Sequence, residues 1–149
     1  MPMRSVQAEI QIKASPLRVI QAFLNAEDLR RWWGVARSLV QQKPGGVWVM
    51  AWEVTTNGMK YVSSGIIETI HADGYLKIAH LVYLHPEKHI LGPMEMEITV
   101  QAINESSSII RVEQSGYLHG GDWDWYYEAA NQGFPYTLNL LKEYLERSS

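Results

Sequence analysis

DWDWYYEAANQGFPYTLNLLKEYLER, residues 122–147, is the stretch that decides the fold. Within it Trp123, Tyr127, Ala130, Phe134, Leu138, Leu141 and Leu145 recur at spacings of three or four. That spacing puts them on one face of a long amphipathic helix. The first half of the stripe is aromatic and the second half aliphatic. Pro135 interrupts it. A proline inside a helix removes one backbone hydrogen bond and crowds the carbonyl near Asn131, which predicts a kink or break near Gln132-Gly133.

Working back toward the N-terminus, the chain reads as strands in need of such a helix. Val6, Ala8, Ile10 and Ile12 alternate with Gln7, Glu9, Gln11 and Lys13, a half-buried strand. Ser15 is placed to cap a helix whose first position takes Pro16. Val19, Ile20, Phe23 and Leu24 give its apolar face. Asn25 ends it, and Ala26 to Trp33 reads as a second short helix. There Glu27 and Asp28 lie early and Arg30 and Arg31 late, as the helix dipole favours, and Gly34 stops it.

From Val35 to Leu118 the pattern is an antiparallel meander. Its turns are Lys43-Pro44-Gly45-Gly46, Thr56-Asn57-Gly58, Ala72-Asp73-Gly74, His85-Pro86-Glu87-Lys88 and the run from Asn104 to Ser108. Gly65, inside a strand pattern, predicts a bulge that curves the sheet. No linker divides residues 1–149, so one domain is expected. The expected class is α+β: a curved antiparallel sheet of about six to seven strands wrapped on the long C-terminal helix, with two short helices after the first strand.

Composition narrows the partners. Net charge is −3 with no basic run, so there is no electrostatic footprint for nucleic acid. The absence of cysteine excludes disulfides and thiolate metal sites. The opening Met1-Pro2-Met3-Arg4-Ser5 lacks the apolar core of a signal peptide, and no apolar run reaches spanning length, so a cytoplasmic protein with no membrane span is expected. Six tryptophans and eight tyrosines against two phenylalanines favour ring systems with a polar handle, suited to core edges and pocket walls.

Strand alternation then sorts the side chains by face. Trp48, Met50 and Trp52 share one face, with Glu53 opposite. Leu76, Ile78, His80 and Val82 share another inward set, as do Met94, Met96, Ile98 and Val100, and then Ile110, Val112 and Gln114. These are large aromatics and methionines with His80 and Gln114 as polar exceptions. Such a set fits an apolar pocket with few orienting groups, or a packed core in which Trp and Met fill irregular space. Trp32 and Trp33 are adjacent on their helix, so one can pack inward while the other reaches the groove mouth. Candidate ligand-binding residues are Trp33, Trp48, Trp52, His80, Met96, Gln114, Trp123, Tyr127 and Phe134.

No metal site or cofactor is expected. His85 and His89 are four apart, but Pro86 argues against a shared helix, and the segment reads as a solvated turn. His119-Gly120-Gly121-Asp122 reads as a helix start with Asp122 as its cap, and Asp124 in the first turn. No nucleophile elbow, P-loop or dinucleotide fingerprint is present.

Ile12-Lys13-Ala14-Ser15-Pro16-Leu17-Arg18-Val19 followed by Asp28-Leu29-Arg30-Arg31-Trp32-Trp33-Gly34 resembles the opening of START-like, birch-pollen-allergen-type (SRPBCC) proteins. It is most similar to the branch homologous to the C-terminal domain of the heat-shock-protein ATPase activator. Pro44-Gly45-Gly46, Gly65-Ile66-Ile67-Glu68 and Gly133-Phe134 through Leu145 extend the likeness over the whole chain. The resemblance implies a helix-grip fold. Its relatives include lipid carriers and polyketide cyclases, and it supplies no shared catalytic set. Two departures fall on the wall facing the sheet: Gly133-Phe134 stands where the family has Gly-Trp, and the aromatic run from Gly120 to Tyr127 opens the helix.

Three functions follow as expectations. The first is non-enzymatic binding of a small apolar or amphipathic molecule between sheet and helix. The second is a cyclase- or hydrolase-like enzyme in which His80 or Gln114 positions a proton. The third, implied by the resemblance, is a chaperone-associated module, although the chain looks too short to carry the activator's extra N-terminal domain.

Overall fold

In a computed structural model the described residues are 3–147; Met1 and Pro2, on which the leader argument begins, lie outside them, as do Ser148 and Ser149. Strand β1 (Arg4–Ile12) leads to helices α1 (Pro16–Ala22) and α2 (Ala26–Trp33). Strands β2 (Arg37–Val40), β3 (Val47–Thr55), β4 (Gly58–His71), β5 (Tyr75–Leu84), β6 (Leu91–Asn104) and β7 (Ser107–Tyr117) follow, and α3 (Asp122–Arg147) ends the chain. All pairings are antiparallel, in the order β1-β7-β6-β5-β4-β3-β2. Every turn read from the sequence falls between two strands.

The short helices begin and end where their residues dictate. Ser15 Oγ accepts the Arg18 N–H at 3.3 Å, with Pro16 in the first turn. Asn25 Oδ1 caps α2 by accepting the Asp28 N–H at 3.1 Å, and Gly34 closes it in the left-handed region at φ 70°. A part-buried clamp joins these helices to α3: Arg18 forks onto Asp28 through two 2.8 Å contacts, and the Tyr144 hydroxyl donates to Asp28 at 2.5 Å.

Helix α3 runs unbroken from Asp122 to Arg147 with Pro135 inside it, so of the kink or break expected at Gln132-Gly133 the break does not occur. Both Pro135 and Asn131 are exposed, so water can solvate the carbonyl that the proline leaves unpaired. Burial of Ala130, Leu138, Leu141 and Leu145 outweighs a propensity penalty of about 3 kcal/mol. Asp122 also departs from expectation. Its Oδ2 accepts the His89 N–H at 2.8 Å, tying down the β5–β6 loop rather than capping α3. Asp124 reaches back instead, accepting the Gly120 N–H at 3.1 Å and pairing with Arg4 at 2.8 Å.

Gly65 marks an irregularity in the sheet, as expected: pairing shifts between Ser64 and Ile66. A Cβ on Gly65 would sit 2.5 Å from Ile78 Cγ2, so the close approach of β4 and β5 requires glycine. The larger consequence falls on β5. Ala79 faces Ile66 and Val82 faces Ser64, leaving two residues opposite Gly65, and His80 takes φ 52°. The extra residue flips everything after it. Leu81 is buried, and His80 is exposed on the outer face.

Candidate ligand cavity

Between the sheet and α3 lies a cavity of about 480 Å³. Strands β3 and β4 supply Trp48, Trp52, Tyr61 and Ser63. Leu81 and Tyr83 come from β5, with His85 just beyond it, Met96 from β6 and Gln114 from β7. Trp33 at the end of α2 closes one side. From α3 come Trp125, Tyr126, Ala130 and Phe134, together with Ala129, Gly133 and Thr137.

The space exists because of what α3 presents. Ala129, Gly133 and Thr137 recur every fourth position, so one helix face is kept small along two turns. A Cβ added at Gly133 would meet nothing within 4 Å. Elsewhere the same helix packs tightly. Leu138, Leu141 and Leu145 are buried core, while Trp123 and Tyr127 lie against Tyr117 at ring distances of 6.2 and 5.7 Å.

Six of the expected binding residues therefore meet in the cavity: Trp33, Trp48, Trp52, Met96, Gln114 and Phe134. Three do not. Trp123 and Tyr127 point around the helix toward β7, and the Arg4 guanidinium carbon covers Tyr127 at 4.2 Å from its centroid. His80 is carried outward by the bulge, into a polar depression that it shares with Glu68, Glu95 and Glu113. That outer depression offers no unpaired charge cluster of the kind a ligand would seek, since Lys77 Nζ lies 3.0 Å from both Glu68 and Glu95.

The residues that sequence reading missed follow from two shifts of phase. Once the bulge moves the β5 alternation, Leu81, Tyr83 and His85 become the inward set. On α3, Tyr126, Ala129, Gly133 and Thr137 form a stripe about one position round from the Trp123–Tyr127 line. Smallness, rather than hydrophobicity, was the signal that could have found it.

Hydrogen bonds hold the tryptophans in place. Trp48 Nε1 donates to the Phe23 carbonyl at 2.9 Å, Trp52 Nε1 to the Trp33 carbonyl at 3.1 Å, and buried Trp32 to the Ala22 carbonyl at 2.8 Å. Trp33 stacks on Trp32 at 5.0 Å and meets Trp52 edge-on at 5.3 Å, so the adjacent pair divides as expected into one core ring and one cavity ring. At the other end Tyr83 and Tyr126 stack at 4.7 Å with rings 3° from parallel. His85 lies 5.1 Å from Tyr61 and 5.2 Å from Trp125, and Lys88 Nζ caps Trp125 at 4.6 Å.

The wall carries little ionisable chemistry. Burial raises the Tyr83 phenol above its usual range and pushes Tyr126 up to about 12, so both remain neutral donors at physiological pH. His85 Nδ1 accepts the Glu87 N–H at 3.1 Å, which places the neutral ring's proton on Nε2.

The family described as Activator of Hsp90 ATPase homolog 1-like protein matches residues 13–146. The chain belongs to that family. It is thereby an AHSA-type member of the START-like superfamily, consistent with its helix-grip architecture. Among solved structures, an uncharacterized protein from Rhizobium leguminosarum shares 20% identity at a TM-score of 0.76, covering 97% of this chain and 95% of that one. The Aha1 dimer from Colwellia psychrerythraea shares 16% at 0.69, covering 95% of each chain. DynU16, a protein of the dynemicin biosynthetic locus, shares 13% at 0.74, and the match spans 97% of this chain but 48% of DynU16. These likenesses establish the shared fold. No curated protein matches the chain. No helix of the described residues is long and apolar enough to cross a membrane.

Proposed function

We propose that this AHSA-type domain binds a small, uncharged, aromatic-rich molecule between its sheet and α3, without transforming it. The observation that carries the proposal is the cavity wall. Nine of its seventeen lining residues have aromatic rings, and among the described residues none is a carboxylate, lysine or arginine. A volume near 480 Å³ falls in the range of small-molecule sites. A charged headgroup drawn past the rim, where Lys88 caps Trp125 and Lys60 lies over Tyr61, would lose its hydration among lining residues that offer no counter-ion, which disfavours fatty acids that enter head first. Ring faces and edges favour flat π systems over saturated chains.

The absence of chemistry follows from the same wall. Tyr83 and Tyr126 stay protonated, and the one cavity imidazole holds its Nδ1 against the Glu87 N–H. His80, the earlier candidate for proton transfer, lies on the opposite face of the sheet.

A thermal-shift panel tests the proposal. Neutral bicyclic and tricyclic aromatics should raise the melting temperature, whereas fatty acids and saturated lipids of similar size should leave it unchanged. Stabilisation by fatty acids alone, or by nothing in the panel, would remove the proposal.

A further inference from the structure

Gln114 is the polar side chain that β7 sends into the core, and it is only 3% exposed. Its Nε2 donates to Tyr126 Oη at 3.2 Å and to Met94 Sδ at 3.3 Å. A thioether sulfur accepts but cannot donate, so Met94 fixes which end of the amide is nitrogen. Both amide protons are then used, and among the described residues no donor reaches the carbonyl Oε1.

The same contact orients the phenol. Tyr126 Oη receives an N–H from Gln114 and keeps its own proton, for which no acceptor stands among the described residues. Gln114 and Tyr126 both line the cavity. The wall also carries the hydroxyls of Tyr61, Ser63, Tyr83 and Thr137 and the His85 imidazole, but Gln114 is its buried polar side chain, and with Tyr126 it presents a donor and an acceptor coupled by a shared hydrogen bond. Leaving such groups unmatched when a ligand displaces water is unfavourable, so the wall selects against plain hydrocarbons.

From this geometry we infer that Gln114 and Tyr126 are the specificity-determining pair of the cavity, recognising an uncharged aromatic ligand that carries a carbonyl beside an N–H or O–H donor. The ligand carbonyl accepts from Tyr126 Oη–H, and the neighbouring donor gives to Gln114 Oε1. Met94 is a positioning residue that sets the amide. The inference rests on the binding function proposed above and adds the polar signature of the ligand.

Three matched probes test it: naphthamide, acetonaphthone and ethylnaphthalene, each followed by quenching of the cavity tryptophans and by calorimetry. Affinity should fall in that order, by about tenfold for each hydrogen bond lost. Tyr126→Phe should erase the preference of acetonaphthone over ethylnaphthalene, read as the ratio of the two affinities within the variant. Gln114→Met should erase the extra step of naphthamide. Melting curves report whether each variant folds, and the wild-type series stands without them. Equal affinity for all three probes would overturn the role of the pair while leaving the cavity a binding site. So would a ketone preference that survives Tyr126→Phe. Binding of none would overturn both the pair and the binding function beneath it.

Discussion

Replacing Gly133 with leucine separates the cavity's emptiness from the fold's stability. Gly133 sits in the middle of α3, and a Cβ there meets nothing within 4 Å. Leucine gains about 0.7 kcal/mol over glycine in intrinsic helix propensity. Its side chain would also enter an aromatic-lined space, adding about 1 kcal/mol from partial burial. Together these should raise the melting temperature by about 3–7 °C in a domain of this size. The same side chain occupies the space a ligand needs, so acetonaphthone affinity should fall by at least about tenfold. Circular dichroism reads the first effect and tryptophan quenching the second. A drop in melting temperature would show that the space beside Gly133 is already filled. Unchanged affinity in a folded variant would show that ligands bind elsewhere.

Three further predictions concern the frame around the cavity. Asp28 suffers a desolvation cost that raises its pKa, but the Arg18 fork and the Tyr144 hydroxyl outweigh it and hold the carboxyl below the usual aspartate range. A depressed native pKa gives stability that is present above the unfolded value and lost as pH falls through the folded one. Asp28→Asn should therefore cost about 1–2 kcal/mol at neutral pH, discounted for the partly exposed Arg18, and the gap from wild type should narrow in denaturant melts as pH falls below the usual aspartate range. The Tyr117 hydroxyl is buried with no hydrogen-bond partner among the described residues, so Tyr117→Phe should be neutral or stabilise by about 1 kcal/mol in urea titrations. Gly65→Ala would put its Cβ 2.5 Å from Ile78 Cγ2 and 3.1 Å from the Ala79 carbonyl, and should destabilise by about 1–3 kcal/mol, read as a lower urea midpoint.

The fold was legible because its signals were periodic and local. Every turn between strands carried Gly, Pro, Asn, Asp or Ser in a recognisable order. Ser15, Asn25 and Gly34 each act at a helix end as their chemistry requires. The strand faces held wherever alternation ran unbroken, as for Trp48 to Trp52, Met94 to Val100 and Ile110 to Gln114. They failed at His80, because the bulge that Gly65 announces on β4 is taken up by an extra residue on β5. A glycine shows that two strands come close, but not which of them carries the extra residue. That shift concealed Tyr83 and His85 and gave His80 a cavity role it does not have. On α3 the hydrophobic stripe identified the core correctly through Leu138, Leu141 and Leu145. The cavity face escaped because a void is lined partly by what is missing, here the side chains that Ala129 and Gly133 lack. Pro135 misled for the opposite reason: a local penalty was outweighed by burial that only the tertiary structure supplies.

Native mass spectrometry of freshly purified wild type and Gly133→Leu tests the central claim most directly. A binding cavity predicts a small neutral adduct on the wild type that is released on denaturation, takes up added acetonaphthone by exchange, and is lost from the folded variant. A wild type that carries no adduct and gains none with added acetonaphthone would contradict it, as would an adduct retained equally by both proteins.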